Sequence, residues 1–245
     1  MDGGANPAVA ARVVRLGRTI AVRLAHVGAE KQPLRIVDHV LDDPQAMIGA
    51  ACNATFYVPQ HTHYPGINAP LPEAYCHTVV TALRGPIEAA FGLARNIELR
   101  YFGFFALATT SAEDAQPIQK IPHHDSPDPD RLAMVHYLCR GSFGGTGFFR
   151  HRATGFESVD RSRHEAYVAS ATQELAAPGG SAPIYAGADM ANYDLVGRAD
   201  AVFNRLIVYR SHVLHSALLD AATGSTDPSR GRLTANGFIE AMRPR

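Results

Sequence analysis

Apolar and polar residues alternate along Arg18–Val27 (RTIAVRLAHV), the two-residue period of a half-buried strand. Leu34–Leu41 is a second apolar run and reads as another strand. Asp42-Asp43-Pro44 has the form of a helix start, an Asp cap before a proline in the first turn, and predicts a helix over Gln45–Ala54. Tyr64-Pro65-Gly66 marks a turn. Leu71-Pro72-Glu73 then opens a helical stretch to about Leu93, with Pro86 inside it, which predicts a kink or two helices. From Ile97 onward the pattern changes. Ile97–Thr109, Leu132–Leu138, Thr146–His151, Arg205–Arg210, Val213–Leu218 and Arg232–Ile239 are rich in aromatic and aliphatic residues, bounded by Gly, Pro and Asp, and read as short strands. Only Arg161–Leu175 breaks the series, polar and helix-compatible, followed by Pro178-Gly179-Gly180-Ser181.

This order predicts an α+β chain. An α/β N-terminal layer over 11–96 precedes a sandwich or jelly-roll of strands over 97–245. An insert over 158–201 is long for a connection, and such inserts are functional covers or disordered segments. Residues 1–10, rich in Gly and Ala, read as a disordered tail. At 245 residues the chain suits a single domain.

Composition changes this picture little. Lys+Arg and Asp+Glu balance at 23 each, so nothing points to nucleic acid or a charged membrane surface. No apolar run is long enough for a membrane span, and no signal pattern opens the chain, so a cytoplasmic, unprocessed protein is expected. Cys52, Cys76 and Cys139 are odd in number and widely spaced, which fits reduced, buried thiols.

Chemistry concentrates in Ile121-Pro122-His123-His124-Asp125. Residues two apart on an extended chain share a face, so the His123 imidazole and the Asp125 carboxylate can bind one cation. His124, between them, should point away. A distal histidine follows in Tyr209-Arg210-Ser211-His212-Val213-Leu214-His215. His212 and His215 are three apart and face opposite sides of a strand, so one of them can complete a two-His, one-carboxylate set that leaves open positions on iron. Arg232 and Thr234 share a face of the last strand, where a guanidinium fork and a hydroxyl suit a carboxylate. Each has a structural alternative: a surface-loop histidine for His123, a surface ion pair for Arg232. Arg150-His151-Arg152 reads as a solvated strand end, and His61 and His63 as loop residues. The chain has no HExxH, no G-x-S-x-G and no P-loop.

In this order, His-x-Asp, distal His, then Arg-x-Thr, the chain resembles the Fe(II)/2-oxoglutarate-dependent oxygenases. Gly144-Gly145-Thr146-Gly147-Phe148 is similar to the strand start that follows their metal pair. The stretch Tyr64–Pro72, with the Pro-His-His-Asp and Arg-Leu-Thr motifs, resembles an uncharacterised bacterial subfamily. The resemblance implies a double-stranded β-helix of the cupin type with flanking N-terminal helices. It also implies Fe(II) held by His123, Asp125 and His215, with 2-oxoglutarate as co-substrate held by Arg232 and Thr234, and O2 as oxidant. Two departures stand out: Thr where Ser is commoner, and a step of seventeen positions from His215 to Arg232. The implied reaction is hydroxylation or a related oxidation of a small molecule, an amino acid or natural-product intermediate among the candidates. Halogenation is not expected, because Asp125 fills the position that halogenases leave open. A non-catalytic cupin-like metal- or ligand-binding protein is the alternative, and an oxygenase acting on a carrier-bound substrate a third reading.

Overall fold

The computed structural model describes residues 14–60, 62–177, 185–188, 190–219 and 224–242. The tail over 1–10 and the Pro178–Ser181 segment lie outside them. Ten strands alternate with three α-helices: β1 (Ala21–Val27), β2 (Gln32–Asp38), α1 (Pro44–Cys52), β3 (Gly66–Pro70), α2 (Ala74–Phe91), β4 (Glu98–Ala108), β5 (Arg131–Tyr137), β6 (Thr146–His151), α3 (His164–Ala176), β7 (Tyr193–Ala199), β8 (Arg205–Arg210), β9 (His215–Ala217) and β10 (Arg232–Met242). They form a seven-stranded sheet in the order β1-β2-β8-β5-β10-β4-β3 and a three-stranded sheet in the order β7-β6-β9. Every pairing between these strands is antiparallel.

Strand alternation sorts the large sheet into two faces. Leu132 and Met134 of β5, Leu233, Ala235 and Ile239 of β10, and Leu206 and Val208 of β8 pack with α1 and α2. Their neighbours Ala133 and Tyr137, Ile207 and Tyr209 turn the other way. With Leu34 and Ile36 they meet Phe148 and Ala199 of the small sheet. One face is thus sealed by helices, and the other looks onto the second sheet, where the site lies.

The helices follow from local sequence. The Asp43 carboxylate caps α1, accepting from the Ala46 amide at 3.1 Å. α2 buries Tyr75, Val79, Leu83, Ile87 and Phe91, one residue per turn on a single stripe. It runs through Pro86 as one helix, where the sequence predicted a kink or a break. Proline in a helix costs about 3 kcal/mol. A stripe of five buried side chains, each worth roughly 1.5–3 kcal/mol, outweighs that, and the Pro86 carbonyl is used by Arg35, which donates to it at 2.8 Å.

Two boundaries differ from the sequence reading. β1, β2 and β3 belong to the same sheet as β4, β5, β8 and β10, so no division near residue 96 separates a layer from a core. The 158–201 segment is also more than an insert. It contains α3 and then β7, which pairs with β6 along Thr146–His151. Cys76 and Cys139 are buried, but Cys52 is exposed; all three are free.

Candidate active site

The sheets enclose a cavity of about 990 Å³. His123, Asp125 and His215 meet on its wall, with one donor atom from each lying within 4.8 Å of the others. His123 Nε2 is 3.7 Å from Asp125 Oδ1, and His215 Nε2 is 3.5 Å from Asp125 Oδ2.

Main chain sets this spacing. His123 and His215 face each other in an antiparallel bridge, each amide donating to the other's carbonyl at 2.9 and 2.8 Å. The Asp125 amide donates to the Ser211 carbonyl at 2.8 Å. His215 lies on β9 opposite Phe148 of β6, so the small sheet carries the distal histidine. Its Nδ1 lies 2.9 Å from the Val213 carbonyl, to which Nδ1–H donates, so that Nε2 is the ring nitrogen turned toward the carboxylate. The His123 side chain is 56% exposed and lines the cavity. The walls around it and the nearby His215 push this imidazole down, and Asp125 opposes them. Two imidazoles and a carboxylate converging on one point fit a divalent transition metal.

His212, the rival distal ligand, is buried, does not line the cavity, and its Nδ1 has no partner among the described residues. His124 does not simply point away. It lines the cavity toward α3, its Nε2 3.1 Å from His164 Nδ1. His63 also lines the cavity. His151, read as part of a solvated end, is fully buried between Glu174 and Thr154, because α3 folds over it.

Arg232 lines the same cavity and is 3% exposed. Its Nη2 donates to the Gly145 carbonyl at 2.9 Å and its Nε to the Gly144 carbonyl at 3.4 Å. Among the described residues its hydrogen bonds reach no carboxylate. Removing a charge from water costs several kcal/mol when no counter-charge compensates it, so a guanidinium placed this way can receive an anion from the cavity. The Gly144-Gly145 pair lets neighbouring main chain close in: a Cβ on Gly144 would stand 1.8 Å from the Leu218 carbonyl oxygen, and one on Gly145 1.7 Å from that of Ala199.

Thr234 is placed differently from the sequence expectation. It shares the face of Arg232 but is fully buried, does not line the cavity, and its hydroxyl donates to the Ala106 carbonyl at 3.3 Å. Three polar groups that sequence reading passed over do line the cavity: Tyr64, Asn68 and Asn236. Each has a buried side-chain oxygen with no partner among the described residues. Burial pushes the Tyr64 phenol up to about 12, against the pull of the nearby Arg232 guanidinium. The fourth wall is α3, whose His164, Tyr167, Val168, Ala171, Thr172 and Leu175 face the cavity at helical spacing. The Tyr167 hydroxyl donates to the Pro122 carbonyl at 3.0 Å, tying α3 to the ligand loop.

Residues 18–239 match the model of a family of unknown function, DUF6445. No curated protein matches the sequence. Among solved structures, the chain is similar to HygX from Streptomyces hygroscopicus with nickel, 2-oxoglutarate and hygromycin B bound. Identity is 9%, coverage 87% of this chain and 84% of that chain, and the TM-score 0.47. SnoN, a non-heme alpha-ketoglutarate-dependent epimerase from nogalamycin biosynthesis, is 14% identical over 98% of this chain and 87% of that one, with a TM-score of 0.44. An N-substituted L-amino acid dioxygenase from Burkholderia ambifaria AMMD is 11% identical over 91% and 94%, with a TM-score of 0.38.

Proposed function

We propose that this chain, which belongs to the family of unknown function DUF6445, is an Fe(II)/2-oxoglutarate-dependent oxygenase acting on a small molecule. Its two facing antiparallel sheets are read as a double-stranded β-helix. The observation that carries the proposal is one cavity holding both a two-imidazole, one-carboxylate cluster and a buried guanidinium without a carboxylate partner among the described residues.

His123, Asp125 and His215 are the metal ligands in this reading. Bound there, Fe(II) supplies oxidation of a substrate C–H bond by O2, while 2-oxoglutarate leaves as succinate and CO2. The protein's part is orientation and exclusion of water. The Val213 carbonyl holds His215 in the ligating tautomer. Arg232 takes the far carboxylate of 2-oxoglutarate through its fork. The sequence motif gives the accompanying hydroxyl to Thr234, but that hydroxyl is turned to a backbone carbonyl. Tyr64, whose hydroxyl is buried near Arg232 and has no hydrogen-bond partner among the described residues, is the better hydroxyl for this role. Ile121, Phe104, Val135 and Leu219 supply the apolar wall.

Anaerobic titration of the metal-free protein with Fe(II), then with 2-oxoglutarate, tests the reading. One iron per chain is expected, with a visible charge-transfer band on adding 2-oxoglutarate and succinate release on admitting air. Metal binding unaffected by His215→Ala would overturn the ligand assignment. Metal bound without 2-oxoglutarate would favour a non-catalytic binding protein.

A further inference from the structure

The cavity has a second guanidinium at its other end. Arg131 opens β5 on the cavity face, directly opposite Glu240 of β10. Arg232 starts β10, eight residues from Glu240, roughly 26 Å along the strand at about 3.3 Å per residue. The Arg131 guanidinium carbon lies 4.4 Å from the Phe238 ring centroid and 5.7 Å from that of Phe102. The two rings are 5.4 Å apart. Stacking on aromatic faces fixes a guanidinium while leaving its N–H edges free. Among the described residues those edges make no hydrogen bond. Arg131 does form an ion pair with Glu240, at 3.6 Å from Nε, and its buried Nε has no hydrogen-bond partner among the described residues.

Arg131 is also tied to the metal-ligand cluster. Its carbonyl accepts from the Ser211 amide at 2.9 Å, and the Ser211 carbonyl accepts from the Asp125 amide at 2.8 Å. Arg131 and Asp125 are therefore joined through one residue, Ser211, by main-chain hydrogen bonds. Phe102, half exposed, and Phe104 continue an apolar wall from Arg131 into the cavity, and Asn236, on the same face as Phe238, adds a carboxamide oxygen with no partner among the described residues.

We propose that Arg131, held on Phe238 and Phe102, anchors the carboxylate of the substrate, whose apolar body lies along Phe102 and Phe104. The substrate class is then a small organic acid with an aromatic or aliphatic body. This rests on reading the cavity as the oxidation chamber. The two guanidiniums divide the work: Arg232 takes the co-substrate and Arg131 the substrate.

The test compares 3-phenylpropanoate and 4-methylpentanoate with their uncharged amides. Binding to the anaerobic Fe(II)- and 2-oxoglutarate-loaded protein is followed by calorimetry. The acids should bind at least tenfold more tightly than the amides, and the preference should shrink as salt rises. Arg131→Gln should erase the preference while iron stoichiometry and 2-oxoglutarate affinity stay as in the wild type. Phe102→Ala should weaken acid and amide alike. Equal binding of acid and amide to the wild type, no binding of either acid at millimolar concentration, or loss of 2-oxoglutarate affinity in Arg131→Gln would each overturn the proposal. The wild-type comparison stands even if the variant fails to fold. Repeating it on protein without iron and 2-oxoglutarate separates the two readings. An acid preference there, with no iron uptake, would keep the anion site and reject the oxygenase.

Discussion

At the residue scale, the sharpest expectations attach to the cavity's polar side chains. Arg232→Ala should weaken 2-oxoglutarate binding by about 2–5 kcal/mol, since it strands a carboxylate in a buried place; titration of the loaded protein reads this directly. Lysine should rescue poorly, being a point charge without the fork. Tyr64→Phe should cost roughly tenfold in 2-oxoglutarate affinity, the worth of one hydrogen bond to a charged group, while Thr234→Val should leave it nearly unchanged. The reverse order would restore Thr234 to the role its motif suggests. The pairing of His123 with Asp125 was legible because i and i+2 share a face, whereas the choice of His215 over His212 came from the order of motifs in the oxygenases the chain resembles. Tyr64 was not, because a Tyr before Pro-Gly reads as turn punctuation. Arg131 was not, because an arginine at a strand start reads as a solvated rim; what it stacks on comes from β4 and β10, far away in sequence.

At the element scale, most strands could be read from alternation and apolar runs and the described helices from cap, proline and composition signals, but their partners could not. β1 and β2 look like a local hairpin, and the register that joins β2 to β8 spans some 170 residues. α3 was legible as a helix, and its apolar face now has a purpose as a cavity wall. Hydrogen exchange on α3 should slow when iron and 2-oxoglutarate are added; equal protection in both states would deny it the part of a cover. Elements also meet through a buried polar chain. His136 of β5 lies with Nδ1 2.8 Å from the Tyr75 hydroxyl of α2 and Nε2 3.1 Å from Asn204 Oδ1, and the Asn204 amide donates to the Leu41 carbonyl at 2.8 Å. Burial pushes His136 from 6.5 down to about 4, the Asn204 bond opposing. The unfolded chain then binds the proton more readily than the folded one. Stability should be full above about pH 6.5 and fall as pH drops toward 4, by up to about 3 kcal/mol from this residue. Urea unfolding at pH 7 and pH 5 should show the loss, and His136→Gln should flatten it. An unchanged slope in that variant would place the acid sensitivity elsewhere.

At the scale of the whole molecule, the β1–β2 turn is clamped to the segment leading into α3. Glu157 accepts from the Ala29 and Glu30 amides at 3.1 and 2.8 Å, and Glu30 pairs with Arg163 at 2.6 Å. Gly28 makes the clamp possible. Its φ is +67°, and a Cβ there would stand 2.0 Å from the Glu157 carboxylate. Gly28→Ala should therefore destabilise the fold by at least about 1 kcal/mol, read as a lowered denaturation midpoint, and a midpoint equal to the wild type would show the clamp dispensable. No helix among the described residues is long and apolar enough to cross a membrane. The His123–His215 bridge has a last consequence. The donors are spaced by paired main chain and do not wait on a cation to gather them. Filling the site should then resemble fitting a stone into a finished ring: uptake should be quick, and chelation should reverse it. The far-ultraviolet dichroism of the emptied protein should match that of the loaded one, in contrast to small zinc domains that unravel when stripped.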